Sequence, residues 1–122
     1  DVLLREALQN PGFFGHNVLA SVWAHRIEPM MTTAQFETMR YNLTVLNRWH
    51  AFGRPPEKLE PVFDKWDMQT FEQNLVLFFK DGPKNIHQIT LADALVSIWN
   101  HHPQLRSLVA ANILCFTAGT RP

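Results

Sequence analysis

The sequence has one cysteine, no long apolar run and no surplus of either charge. Each shortage excludes something. A single thiol, Cys115, cannot form an intrachain disulfide, so a disulfide-stapled scaffold is ruled out and a reducing, cytoplasmic setting is expected. No apolar stretch reaches the roughly 18 residues of a membrane span, so no membrane partner is expected. Eleven basic residues balance eleven acidic ones, for a formal net charge of +0. A general nucleic-acid binder needs a basic face to displace counterions from phosphates, and this balance argues against one. No phosphate loop, nucleophile elbow, His-Glu-x-x-His helix or paired zinc-binding cysteines occur either.

What is present is apolar and aromatic. Of 122 residues, 46% are hydrophobic and 18% charged, which is too apolar and too weakly charged for disorder. The length suits one domain spanning residues 1–122. The start, Asp1 to Glu6, is amphipathic and acid-bearing, unlike a signal peptide. The chain is expected to be a domain, fragment or subunit of something larger.

The dominant apolar period is 3.6, which predicts an all-α fold, a compact orthogonal bundle of six or seven short helices. Val2 to Leu8 form the first, stopped by Asn10-Pro11-Gly12. The second runs from Phe13 or Gly15 to about Glu28, with Phe14, Val18, Leu19, Val22 and Trp23 on its buried stripe, and Pro29 closes it. The third spans about 33–51. Thr32 or Thr33 caps it, Phe36, Met39, Leu43, Leu46 and His50 form its stripe, and Gly53 ends it. Arg54-Pro55-Pro56 is a stiff connector, followed by a short helix over Glu57–Trp66. Asp67 can cap a fifth helix bearing Phe71, Leu75, Phe78 and Phe79, halted by Asp81-Gly82-Pro83. Thr90 and Asp93 resemble a capping box for a sixth, with Leu91, Leu95, Ile98 and Trp99 inward. Pro103 opens a seventh, carrying Leu105, Leu108, Val109, Ile113 and Phe116.

Six histidines are the feature that invites a site, because neutral imidazole is both a metal ligand and a general base. His16 and His25 are nine apart, about 180° around a helix, so one straight helix cannot aim both at one metal. His25 and Glu28 are three apart and share a face. His50 continues an apolar stripe and needs partners for both ring nitrogens if buried. His16 follows Gly12 and Gly15, which allow close backbone approach, to a cofactor or to a packed helix. His16, His50, His25 and Glu28 are therefore the candidate metal ligands, with a transition metal as the implied cofactor. His101 and His102, at a helix end before Pro103, are expected to meet C-terminal carbonyls and the negative end of the dipole. Cys115, inside Ile113-Leu114-Cys115-Phe116, is expected to be core. Asp64 and Asp67 are expected to be solvated helix-end acids, and Asn42-Leu43-Thr44 sits in mid-helix, where a glycosylation pattern is discounted.

Four tryptophans in four helices exceed what so small a core easily hides. Trp23, Trp49 and Trp66 are the candidate partner-binding residues, because tryptophan is enriched at interface hot spots. Two functions follow. The favoured one is a helical interaction domain or accessory subunit that binds a protein or peptide partner, or another copy of itself. The alternative is a histidine-liganded metal- or haem-dependent redox enzyme, or half of its site, which requires His16, His50 and a third ligand to converge.

Overall fold

A computed structural model describes residues 2–12, 15–49, 68–79 and 86–117. These form an all-α bundle: α1 (Val2–Gln9), α2 (His16–Ile27), α3 (Thr33–Trp49), α4 (Met68–Phe78), α5 (Ile86–His101) and α6 (Arg106–Thr117). Short 3₁₀ turns at Glu28–Met30 and Pro103–Leu105 follow α2 and precede α6. No strand occurs among the described residues. The expected helix over 57–66, the Asp67 cap and the Gly53 stop lie outside them.

Local chemistry explains most boundaries. Pro29 and Pro103 each sit in the first turn of a 3₁₀ segment, where a missing N–H costs nothing. Thr32 begins α3 with a reciprocal capping box. Its hydroxyl accepts from the Gln35 N–H at 3.1 Å, and Gln35 Oε1 accepts from the Thr32 N–H at 2.9 Å. Gly12 and Gly15 both adopt left-handed backbone, at φ 74 and 73. Gly15 is also a point of close approach: a Cβ there would stand 2.5 Å from Leu91 Cδ1. The glycines thus serve a packed helix start, and the space beside Gly15 is filled by α5.

Two buried asparagines close the end of α1, whose last carbonyls have no partner within the helix. Asn112 Nδ2, from α6, donates to Leu8 O at 2.9 Å and to its own helix at Leu108 O at 2.9 Å. Asn17 Nδ2, from α2, donates to Asn10 O at 2.8 Å. Two polar side chains therefore pin three helices together inside an otherwise apolar core.

That core gathers Leu4 and Leu8 from α1, Val18 and Val22 from α2, Phe71 from α4, Leu95, Ile98 and Trp99 from α5, and Leu108 and Ile113 from α6. Trp99 is fully buried and stacks on Phe71 with ring centroids 4.2 Å apart and planes 7° from parallel. Arg106 stands over the same indole at 5.0 Å and donates from Nε to Trp99 O at 2.9 Å. One side chain thus joins α4, α5 and the start of α6.

Helices α2 and α5 run parallel. Their starts meet through His16 and His87, with ring centroids 5.0 Å apart. Their ends meet through His25 and His102, at 6.5 Å.

Three expectations are corrected. Thr90 is not a cap: α5 begins at Ile86, and the Thr90 hydroxyl bonds back to Ile86 O at 3.1 Å from inside the helix. Trp23 is not on the buried stripe of α2 but half exposed, because the small residues Ser21 and Ala24, with Asn17, take the inward positions. The α3 stripe does not reach the core: Phe36, Met39 and Leu43 are only half-buried. The Leu46 side chain and His50 lie outside the described structure, as do the side chains of Cys115 and Phe116.

Candidate functional site

Two features of the α2–α5 pair stand out from the rest of the surface. The first is an apolar outer face. Trp23, Ile27 and Met30 follow at i, i+4 and i+7, and are 50%, 40% and 85% exposed. On α5, Ile86 and Ile89 are exposed three residues apart. Arg26 Nη2 donates to Asp93 Oδ2 at 3.2 Å, tying the two helices across their outer side. On α2, Trp23 stands three residues before Arg26 and Ile27 one after it. On α5, Ile86 and Ile89 stand seven and four residues before Asp93, on its ridge of the helix. The bridge is exposed at both partners and adds little stability.

The second feature is a cleft of about 310 Å³ near the C-terminal ends of α2 and α5. Leu4, Val22 and Ile98 give it apolar walls, while His25, Arg26, Ser97, His101 and His102 supply its polar side chains. Among the described residues no carboxylate lines it. His101 Nδ1 lies 2.8 Å from Ser97 O, which requires that nitrogen to carry the proton and donate. His101 therefore meets a C-terminal carbonyl, as its place in the sequence suggests. His25 is held between α3 and the end of α5, with Phe36 at 5.9 Å and His102 at 6.5 Å between ring centroids. Its Nδ1 is 3.6 Å from Glu28 Oε2, beyond hydrogen-bond length. His102 titrates below the ordinary histidine range, first because burial disfavours its charged form and then because His25 lies beside it.

The candidate metal ligands do not converge among the described residues. His16 is exposed and pairs with His87 at the start of the helix pair. His25 and Glu28 stand at the other end. No group of three or more His, Cys, Asp or Glu among the described residues is placed to hold a metal ion. His50 and Trp66 lie outside the described residues, and Trp49 is the last residue of α3, its side chain outside what is described. Trp23 is the candidate partner-binding residue that the structure presents to solvent.

Sequence reasoning missed the gathering of His25, His101 and His102 on one cleft. The signal was present but weak: a histidine in the last turn of α2 and two more at the end of α5. Only the parallel packing of those helices makes them neighbours. Among the described residues no helix is long and apolar enough to cross a membrane. Compared with models of protein families, with characterised proteins and with solved structures, the chain matches none.

Proposed function

We propose that this chain is a helical interaction domain that binds a protein or peptide partner through the outer face of α2 and α5. The observation that carries this is the exposure of Trp23 in line with Ile27 and Met30, on the helix that Arg26–Asp93 joins to α5, where Ile86 and Ile89 are exposed too. Single exposed apolar residues are ordinary on a protein surface. A row of exposed apolar residues at helical spacing, with a tryptophan in it, is what a binding surface offers. The neutral overall charge favours contacts of this kind over electrostatic recognition of nucleic acid.

The Trp23→Ser/Ile27→Ser double variant tests the reading. Both side chains point away from the core, so the circular dichroism spectrum and melting temperature should stay close to those of the parent. Association should weaken by roughly 2 kcal/mol or more, the effect of deleting a tryptophan hot spot. Sedimentation of the purified chain over a range of concentrations separates self-association from binding of a different protein. A variant that folds normally and associates as the parent does would refute the assignment of this face.

A further inference from the structure

We infer that the cleft near the C-terminal ends of α2 and α5 is a binding site for a small organic carboxylate with a short apolar body. Its volume, about 310 Å³, lies at the small end of the range for ligand pockets. Its composition is one-sided. Three imidazoles and a guanidinium reach it together with one hydroxyl, and among the described residues no acid lines it. Leu4, Val22 and Ile98 supply apolar wall. An inorganic anion makes no use of that wall, and a neutral apolar molecule makes little use of the imidazoles and the guanidinium. A ligand with one carboxylate and a small hydrocarbon part uses both.

The charged groups around the rim set how binding depends on pH. From α2 come His25 and Arg26, with Glu28 in the turn that follows and 3.6 Å from His25. From α5 come His101 and His102, with Asp93 paired to Arg26 at 3.2 Å. Arg5 of α1 donates to Gln104 O at 3.4 Å, in the 3₁₀ turn that follows His102. Glu37 and Arg40 of α3 pair with each other at 2.6 Å. Burial first, and then the nearby His25, disfavour the charged form of His102. A carboxylate bound beside the ring places a negative charge there and favours the charged form. Binding therefore takes up a proton, and affinity rises as pH falls. His101 Nδ1 is committed as a donor to Ser97 O, so Nε2 is the nitrogen left for a ligand. Asp93 competes with the ligand for Arg26.

Titration with benzoate, read in long-range imidazole ¹H–¹⁵N spectra, tests the proposal. Benzoate should shift the His25, His101 and His102 signals saturably. It should bind about tenfold more tightly near pH 5.5 than near pH 7.5. Benzamide, the neutral isostere, and inorganic phosphate, which lacks the apolar body, should each bind at least about tenfold more weakly. His102→Gln should flatten the pH dependence, while His101→Gln and Arg26→Gln should weaken binding at both pH values. Asp93→Asn should strengthen it, because the competing carboxylate is gone. Asp93, Arg26 and His101 are exposed, so at least these variants should keep the parent fold, checked by circular dichroism. Four outcomes would overturn the site: no saturable shift with benzoate, equal binding of benzamide, equal binding of phosphate, or shifts with Zn²⁺ but none with benzoate.

Discussion

Helices α5 and α3 are of similar length and are held in opposite ways. Of the 16 residues of α5, Leu91, Ala92, Ala94, Leu95, Ile98 and Trp99 are buried. In the 17-residue α3, none of residues 33–45 is buried. What α3 has instead is local: the Thr32–Gln35 capping box, the Arg40–Glu37 pair, and hydroxyl bonds from Thr38 to Ala34 O and from Thr44 to Arg40 O. Its tertiary contacts run to α1 and α2 through half-buried residues, among them Phe36 against His25. Burial is worth kilocalories per side chain, whereas an exposed ion pair or a cap is worth about one or less. The comparison teaches that α5 is part of what makes the domain fold, and that α3 is carried by it.

The strongest way to break the comparison is Trp99→Ala. It empties the site that stacks on Phe71 and supports Arg106, and it should cost about 3–5 kcal/mol in a denaturant melt. A loss below about 1 kcal/mol would mean that α5 is not central to the fold. Next comes Asn112→Ala, which leaves Leu8 O buried without its donor. It should cost about 1–3 kcal/mol and should loosen α1 more than α5 in hydrogen exchange. Smallest is Thr32→Ala, which removes the α3 cap. It should cost about 1 kcal/mol, raise exchange in the first turn of α3 and leave α5 untouched. Should Thr32→Ala speed exchange in α5 as well, the two helices belong to one cooperative unit and the contrast between them fails.

Much of this was legible in the sequence, for local reasons. The 3.6 period gave the helical class. Proline and glycine gave the breaks at Pro11–Gly12, Pro29 and Pro103, and Thr32 the cap of α3. The stripes Leu91-Leu95-Ile98-Trp99 and Leu108-Val109-Ile113 are buried as their spacing predicts. The failures are tertiary. In α2, counting large apolar residues turned Trp23 inward. Close approach between helices favours small side chains, so Ser21, Ala24 and Asn17 took that flank and Trp23 was left outside. The Thr90–Asp93 pair looked like a cap because a mid-helix threonine that bonds back to the i−4 carbonyl has the same sequence signature. Asn17 and Asn112 carried no local signal for the carbonyls they satisfy, one of which lies 104 residues away. The site followed the same division. Trp23 was named from residue type alone, while the histidine cleft exists only because α2 and α5 run side by side.

The central claim is that the outer face of α2 and α5 is where the chain meets its partner. A photoreactive amino acid at position 23 tests it most directly, with the same group at position 37 on α3 as the control. Both positions are exposed, so solvent access alone does not distinguish them. In the cell that makes the protein, the account predicts a discrete crosslinked species from position 23, none from position 37, and loss of that species with Ile27→Ser. Equal crosslinking from both positions, or none from position 23, would contradict it.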